Sequence, residues 1–355
     1  MLWQCGMDDD TLISPDLNYD VPETYSFSNV DYEGQNLRLR QLREMASLMW
    51  WAPYGLRLSP DLLRGMFEND PNYAVWNQPY DEAIQLRDQT FSPAQSDLLD
   101  QLFNLSATSQ TINPAVPGEA GFIEAENVRL RILLGNGGLE PAQVFEKGLM
   151  GACFYFQATA VLLGEEKMAA DNINVIIGKG TAMEHNWDQA FGYLGVPANF
   201  EADTTNTWFW GNYLVRLDAL LDAKQPLKDA FLTGRAAISN KDLDTRDQAI
   251  GQIRQTWERL VVGAALHHLN AANAKFEDRA QRMHELSQAL GFIYSLRFNP
   301  AKSLSDTEIN DLLQIAGGNA DFADMDLYQI QRGDILEART SLAADFGLQA
   351  VADQF

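Results

Sequence analysis

The chain has 355 residues, and its hydrophobic fraction of 46% supplies enough apolar material for one large folded domain or two smaller ones. It carries 26 Lys and Arg against 49 Asp and Glu, a formal net charge of −23, with the acidic residues dispersed along the sequence. Because phosphate binding needs clustered cations, this balance argues against a nucleic acid partner. The two cysteines do not make a disulfide framework, and no apolar run is long enough to cross a membrane.

The N-terminal residues 1–33 are rich in Asp, Pro, Ser and Tyr, which predicts an extended leader or tether. Leu2 lies three residues before Cys5, as at the end of a bacterial lipoprotein signal. Gln4 departs from the small residue usual in that place, and the charged start and apolar stretch of a full signal are missing. Two interpretations stay open, a truncated lipoprotein signal with Cys5 lipidated or an ordinary cysteine. The first predicts a cell-envelope protein, in the periplasm or at the outer membrane, held to the membrane only through a lipid anchor.

Helical spacing of apolar residues begins near Gln35 and ends at Pro53. Pro93 follows Ser92 and opens another helix at a first-turn position, where its missing N–H is harmless. Residues 107–138 are the least helical part, because they hold prolines, glycines and a short alternating stretch. They predict a small β-hairpin or an irregular insertion.

The second half of the chain has strong helix signals. Thr181 with Glu184 makes a capping box, and Ser305 with Glu308 makes another. The helices predicted there span about 140–163, 181–194, 213–223, 244–272, 277–297 and 333–346. Asp244 or Thr245 is the predicted cap of the long fourth one. Long helices joined by loops predict an all-α bundle protein.

Two stretches of the chain repeat each other around a histidine. Residues 184–193 (EHNWDQAFGY) and 283–292 (MHELSQALGF) share His, Gln-Ala and Gly in register. A second match, between 146–152 (EKGLMGA) and 258–264 (ERLVVGA), keeps the same order. This pattern predicts a duplicated helical bundle. The predicted repeat units are about 140–197 and 250–300, within a single helical domain at 34–355.

His185 and Asp188 form the first candidate site. They lie three residues apart on one predicted helix, so their side chains leave the same side. Imidazole with carboxylate suits a divalent metal such as iron or zinc, whose other ligands would come from neighbouring helices. Two alternatives stay open: an acid–base pair in which Asp188 orients the ring, or a purely structural pair.

His284 is the counterpart of His185 in the repeat. Ser287 stands where Asp188 would be, although Glu285 lies beside the histidine. The second unit has therefore lost its carboxylate, which favours one functional site over two equal ones. His267 and His268 are adjacent, and neighbouring helix positions diverge by about 100°. We expect one of these two to be half-buried and the other solvated.

Glu146 and Glu258 occupy matching positions in otherwise apolar helices, where an unpaired charge is costly. Each either pairs with a base at its helix start, such as Lys147 or Arg259, or completes a polar centre with the His185 site. The candidate metal-binding or ligand-binding residues are His185, Asp188, Glu146, Glu258, His284 and Glu184.

Several segments resemble a bacterial family catalogued as domain of unknown function 4856. They are residues 21–27 (VPETYSF), 32–35 (YEGQ), 145–151 (FEKGLMG), 178–185 (GKGTAMEH), 188–193 (DQAFGY) and 234–238 (GRAAI). The resemblance runs from about residue 21 to 350. It implies no established activity, but members of that family commonly carry lipoprotein signals, which agrees with a lipidated Cys5.

A weaker resemblance is to the imelysins, helical proteins of the periplasm or outer membrane that are made of two similar bundles. They are associated with iron uptake and classed by homology as metallopeptidases. Their Gly-x-His-x-x-Glu motif corresponds to Met183, His185 and Asp188, so two of its three defining residues differ. The resemblance implies an envelope protein that binds a metal ion or an iron-bearing ligand, with a role in iron uptake. The alternatives are a metal-dependent peptidase of the imelysin type and a non-catalytic envelope protein that binds a protein partner.

Overall fold

Helices dominate the computed structural model, which describes residues 17–91, 93–111 and 113–355, apart from the side chains of 93–97. The helices are α1 (Glu33–Trp51), α2 (Pro60–Glu68), α3 (Pro93–Thr108), α4 (Pro141–Leu149), α5 (Glu165–Met168), α6 (Ala182–Gly192), α7 (Trp210–Leu221), α8 (Lys224–Asn240), α9 (Leu243–Ala274), α10 (Arg279–Ser295), α11 (Asp306–Gly317) and α12 (Arg332–Asp345). Short 3₁₀ turns cover Ala52–Tyr54, Arg87–Gln89, Leu296–Phe298 and Phe322–Asp324. The all-α class is confirmed.

The predicted insertion is a two-stranded hairpin. Strand β1 (Gly121–Glu124) pairs antiparallel with β2 (Arg131–Leu134), with Gly121 opposite Leu134. Ile132 and Leu134 are buried in the core, and this apolar face holds the hairpin against the helices. Of the alternating stretch, residues 128–132 (VRLRI), only Arg131 and Ile132 pair in a strand.

The helix predicted over 140–163 changes its winding partway along. After α4 the chain continues as two π-helical segments, Met150–Tyr155 and Gln157–Leu162. The indole Nε1 of Trp210 donates a hydrogen bond to the Met150 carbonyl oxygen over 2.8 Å. π-Helical turns are rare in proteins, and those that occur often lie at functional sites. Periodicity alone did not predict this one, because apolar residues surround the helix on most sides.

Helix α9 is the centre of the structure. It packs against α8, α10, α12 and α7, and α10 packs in turn against α4. Trp257, Leu260 and Val261 have no exposed surface, as expected of a helix enclosed by others. The predicted cap at Asp244 or Thr245 is wrong. The side chain of Asp242 accepts from the Thr245 N–H, so the helix begins at Leu243.

The two predicted capping boxes are confirmed. At α6, the Glu184 N–H donates to the Thr181 hydroxyl over 3.2 Å, and the Thr181 N–H donates to Glu184 Oε2 over 2.8 Å. Ser305 and Glu308 make the same pair of bonds at α11. Capping depends on neighbours in sequence, which explains why sequence alone located both helix starts.

The repeat units contact each other instead of forming separate cores. In the first unit α6 packs against the second π-helical segment, and in the second unit α9 packs against α10. Because α10 also packs along α4, the two units share one hydrophobic core. Duplication itself stays a prediction.

The leader joins the core before α1 begins. Residues 17–32 contain no helix or strand, yet Tyr25 is buried with 3% of its surface exposed. Its ring stacks on Phe191 of α6, with centroids 3.8 Å apart. The predicted lipidation site, Cys5, lies outside the described residues. Among the described helices, none is both long and apolar enough to span a bilayer.

Candidate functional site

Asp188 is buried in an ion pair. Its Oδ1 accepts hydrogen bonds from Arg235 Nε over 2.8 Å and from the Tyr25 hydroxyl over 2.7 Å. Asp188 has no exposed surface and Arg235 only 1%. A buried charge is tolerated when it is paired and hydrogen-bonded. The carboxylate therefore joins α6, α8 and the leader.

Glu184 belongs to the same network. Arg235 Nη1 and the Ser239 hydroxyl both donate to Glu184 Oε1 over 2.7 Å. Two carboxylates thus share one guanidinium. Burial raises the pKa of Asp188 to about 6, although Arg235 and Tyr25 oppose this. Burial would also raise the pKa of Glu184. Hydrogen bonds from the Thr181 N–H and Ser239, together with Arg235, lower that pKa below its ordinary value.

Four of the segments that carry the family resemblance meet at this network. They contribute Tyr25, Glu184, Asp188 and Arg235, and the Arg235 guanidinium lies 5.1 Å from the centroid of the Phe27 ring. Two glycines of these segments are required by close packing. A Cβ on Gly234 would lie 2.1 Å from the Trp187 ring. Gly180 has φ +74°, and its Cβ would lie 2.7 Å from Glu184 Oε2.

His185 is separate from Asp188 although both lie on α6. Its Nε2 is 3.2 Å from Gln189 Nε2, and its buried Nδ1 has no hydrogen-bond partner among the described residues. Burial lowers the pKa of His185, and the carboxylate of Asp31 opposes that effect. The ring is therefore neutral near pH 7, and its hydrogen-bond contacts do not include Asp188.

The donor atoms around His185 and Asp188 do not fit a divalent metal. Within the described residues, no three His, Cys, Asp or Glu side chains are grouped so that they could hold one. Arg235 already occupies one oxygen of Asp188, and a guanidinium at that distance repels a cation. The structure therefore gives no support to a metal shared by these two residues, and the metal site stays a prediction.

Glu258 and His284 form hydrogen bonds in other parts of the structure. Glu258 is buried and accepts from the Ser303 N–H over 2.7 Å and from the Ser303 hydroxyl over 2.6 Å, which fixes the chain before α11. His284 Nδ1 lies 2.7 Å from Glu140 Oε2 and joins α10 to the start of α4. Burial would lower the pKa of His284, but the Glu140 carboxylate raises it above the ordinary value. Neither side chain reaches the His185 site.

Glu146 lies at a different place, a cleft of about 660 Å³ between α1, α4, α7 and α10. We call it the α1–α7 cleft. It is lined by Arg43, Glu146, Lys147, Met150, Thr205, Asn206, Thr207, Trp208, Phe209, Asn212, Tyr213, Arg216 and Gln288. Glu146 Oε1 pairs with Lys147 Nζ over 2.6 Å, as one of the two sequence interpretations expects. His185 and Asp188 are not part of this lining.

The cleft carries cations over aromatic rings. The guanidinium of Arg43 lies 4.8 Å from the Trp208 ring centroid, and that of Arg216 lies 5.7 Å from the Tyr213 centroid. Among the described residues, no carboxylate forms a salt bridge with either arginine. Lys147 adds a third cation, against the single carboxylate of Glu146. On a chain with a net charge of −23, this is a local excess of positive charge.

A buried hydrogen-bond network fixes one wall of the cleft. The Tyr213 hydroxyl lies 2.8 Å from His268 Nε2, and His268 Nδ1 lies 2.7 Å from Glu285 Oε2. Since an ionised carboxylate only accepts, Nδ1 carries the proton, Nε2 accepts, and Tyr213 donates. Glu285 also binds Lys275 and receives a hydrogen bond from Gln288, another lining residue.

The pKa values of this network keep it in that protonation state. Burial lowers the pKa of His268 to about 4, against the opposing effect of Glu285. Burial would raise the pKa of Glu285, but the hydrogen bond from His268 and the charge of Lys275 bring it to about 2. At neutral pH the imidazole is neutral and the carboxylate charged. The Tyr213 ring is therefore held in one position on the cleft wall.

The residue just before α7, Phe209, is strained and also lines the cleft. Phe209 has φ +49° and ψ −106°, a conformation that side chains other than glycine rarely adopt. The preceding Trp208 N–H donates to the Gly195 carbonyl over 2.7 Å, and a Cβ on Gly195 would lie 2.3 Å from the Trp208 carbonyl oxygen. Such strain persists where the surroundings fix it and is concentrated at functional sites.

Sequence reasoning missed the cleft and the partner of Asp188. Arg43, Trp208, Tyr213 and Arg216 come from three separate elements, so no spacing rule connects them. The available signal was Trp208 in a polar loop beside Trp210. For Arg235 the signal was a charged residue inside an apolar helical stretch, which needs a buried partner.

Comparison with known proteins identifies the family of this chain and nothing further. No curated protein and no solved structure matches the chain. The model of the family described as Domain of unknown function (DUF4856) matches residues 22–349. This span contains both the Asp188–Arg235 network and the α1–α7 cleft, and the chain belongs to that family.

Proposed function

We propose that this chain is a non-catalytic binding protein of the cell envelope and that its α1–α7 cleft takes a small organic anion. The observation that carries the proposal is the pair of arginines, Arg43 and Arg216, which face the cleft without a carboxylate partner among the described residues. A guanidinium offers paired donors that match carboxylate and phosphate groups.

The aromatic side chains define the rest of the ligand. Trp208 and Tyr213 present rings to the cleft, and the Tyr213 ring is fixed by its bond to His268. Such rings favour a flat or apolar part beside the anionic group. A volume of about 660 Å³ lies within the range of roughly 300–1,000 Å³ usual for small-molecule sites.

Iron enters this proposal as part of an anion. Three cations and one carboxylate repel a bare divalent ion. A ferric complex of a polycarboxylate or catecholate chelator has a negative charge and flat groups, so it matches the same lining. An iron-bearing ligand is therefore the form in which a role in iron uptake agrees with the cleft. The envelope location rests on the spacing around Cys5 and on the family resemblance.

Binding measurements test the proposal directly. Citrate, ferric citrate and benzoate are titrated into the protein by calorimetry, with intrinsic tryptophan fluorescence as a second signal. We expect binding of at least one anion that weakens with salt, and tighter binding of ferric citrate than of citrate if iron is carried. Loss of one arginine in Arg43→Ala or Arg216→Ala should weaken binding by about 10-fold to 100-fold, since a charge-assisted bond contributes about 1.5–3 kcal/mol. Loss of both in Arg43→Ala/Arg216→Ala should weaken it by more than about 100-fold.

The matched control is Arg129→Ala, which removes an exposed arginine outside the cleft. It should leave the affinity unchanged. The proposal fails if none of the three anions binds at millimolar concentration, or if Arg129→Ala weakens binding as much as the cleft variants do.

A further inference from the structure

Four large aliphatic side chains stand in solvent at one turn. The exposed fractions are 83% for Ile173, 60% for Val175, 60% for Ile176 and 95% for Ile177. We call this segment the 173–177 tip. Scattered exposed apolar residues are normal on protein surfaces, but a contiguous group indicates an interaction site.

The tip is shaped by its own hydrogen bonds. Asp171 Oδ1 accepts from the Ile173 N–H over 2.8 Å, and the Ile176 N–H donates to the Gly180 carbonyl over 2.8 Å. Gly178 and Gly180 adopt positive φ angles of +85° and +74°, which let the chain turn back sharply. The aliphatic side chains are therefore presented in a defined turn.

The base of the tip is fastened to the helical body. Asn172 Nδ2 donates to the Ile238 carbonyl over 2.9 Å, and Lys241 Nζ donates to Asn172 Oδ1 over 3.0 Å. The Gly178 N–H donates to Asn29 Oδ1 over 2.9 Å. These bonds join the tip to the end of α8 and to the leader.

The leader enters the structure at the same end. The Tyr19 hydroxyl donates to Asp242 Oδ2 over 2.8 Å, in the turn between α8 and α9 that also holds Asn172. Leu243, the first residue of α9, is 43% exposed. Sixteen residues precede Leu17 in the sequence, and Cys5 is among them.

We propose that the 173–177 tip inserts into the surface of a lipid bilayer and so orients the protein on the membrane. Residues 172–180 contain no carboxylate and one lysine, Lys179, on a chain that is otherwise strongly acidic. Aliphatic side chains with a flanking lysine suit the boundary between head groups and acyl chains. A stable protein interface needs about 800 Å² from each partner, to which a narrow turn contributes only a part.

This inference is independent of the cleft and its ligand. It differs from the sequence expectation that a lipid on Cys5 makes the only membrane contact, because the tip would bind without any lipid modification. Tyr19 of the leader and Asn172 at the base of the tip both bond to the α8–α9 turn.

A site-specific fluorescent label tests insertion. In a Cys5→Ser background, Ile177→Cys is labelled with a polarity-sensitive dye, while Cys153 stays unlabelled because it is buried. We expect emission to rise and shift to shorter wavelength on adding vesicles of phosphatidylethanolamine and the anionic phosphatidylglycerol in a ratio of roughly 3:1. The control is Val128→Cys, an exposed position on the β1–β2 connection, which should not respond.

Vesicle flotation gives a second measurement. The double variant Ile173→Ser/Ile177→Ser should lower the vesicle-bound fraction by at least about 10-fold, since the apolar area is what the bilayer buries. The control variant Val116→Ser/Val128→Ser removes two exposed valines away from the tip and should leave binding unchanged. Apolar insertion should persist in high salt.

Three outcomes would overturn the proposal. The first is a label at position 177 that does not respond to vesicles. The second is a label that responds to rising protein concentration without vesicles, which assigns the tip to a second copy of the chain. The third is binding that high salt abolishes and that both double variants retain, which means adsorption through charge alone.

Discussion

Arg235 of α8 donates to Asp188 of α6 over 2.8 Å, and neither residue has more than 1% of its surface exposed. Asp188, which the sequence analysis placed with His185 in a candidate metal site, is therefore part of an ion-pair network centred on Arg235. Tyr25 and Glu184 complete it. The network connects the leader with two helices that lie far apart in sequence, which gives these motifs a role in the fold.

Replacing Arg235 should lower the free energy of unfolding. Arg235→Met leaves two buried carboxylates without their base, and breaking a buried pair on one side costs about 3–5 kcal/mol. Urea unfolding at pH 7 measures the loss. Arg64→Met, which breaks solvent-exposed pairs with Asp61 and Asp100, should cost no more than about 1 kcal/mol. Equal losses in the two variants would show that Arg235 does not stabilise the fold through burial.

The stability contributed by Asp188 should depend on pH. Its pKa in the folded protein is about 6, above the ordinary 3.8, so the folded state binds more protons between these values. That contribution is fully present below about pH 4 and is lost as the pH rises through 6. At about 1.4 kcal/mol per pKa unit the difference reaches about 3 kcal/mol. In Asp188→Asn this part of the pH dependence should vanish, as measured by urea unfolding at several pH values. An unchanged profile in the variant would contradict the assignment.

His268 should produce the opposite slope. Its pKa in the folded protein is about 4, below the ordinary 6.5, so the unfolded state binds more protons in between. The stabilising contribution is present above pH 6.5 and is lost as the pH falls towards 4, by up to about 3 kcal/mol. His268→Gln should be less stable at pH 7 yet lose less stability on acidification than the parent chain. A steeper acid loss in the variant would exclude this role for His268.

Two helical glycines should respond in opposite directions to alanine. In Gly234→Ala the new Cβ would lie 2.1 Å from the Trp187 ring, so either the ring or α8 must shift. Overpacking of this kind costs about 1–3 kcal/mol or more. Gly251→Ala meets nothing within 4 Å on α9 and should stabilise the protein by up to about 1 kcal/mol. Thermal unfolding compares the two, and a neutral Gly234→Ala would mean that the α6–α8 contact is loosely packed.

Metal removal tests the remaining prediction for His185. Because Arg235 holds Asp188, we expect a chelator to leave the melting temperature unchanged, and elemental analysis to find less than one iron or zinc per chain. His185→Ala should melt close to the parent protein. A stoichiometric metal that disappears in His185→Ala, together with a lower melting temperature after chelation, would restore the metal site and refute this expectation.

The sequence reached the parts of the fold that local signals control. The first helix ends where Pro53 predicted it, with Leu42 and Met45 buried on the expected stripe. The hairpin lies inside the predicted insertion. Helix α8 was not predicted, since its polar and apolar residues gave no clear cap, and with it the partner of Asp188 was missed.

The candidate site could be predicted only in part. Spacing rules correctly placed His185 and Asp188 on one helix, but they do not say which side chain meets a cation from another helix. Glu146 does face a cleft, because α1, α7 and α10 happen to surround its end of α4. The arginines and aromatic rings of that cleft come from elements that fold together only in the tertiary structure.

By itself, the sequence determined the helical class, the two capping boxes, the position of the hairpin and the family. Each depends on residues within a few positions of one another or on a long linear match. The tertiary structure alone decided that Asp188 meets Arg235, that Tyr213 is fixed by His268, and that the 173–177 tip stays in solvent. The first two contacts join residues that are 47 and 55 positions apart in the sequence. The exposure of the tip depends on how the rest of the chain packs around it. Burial and pairing of charge are properties of the whole packed chain, so they were fixed only when the helices came together.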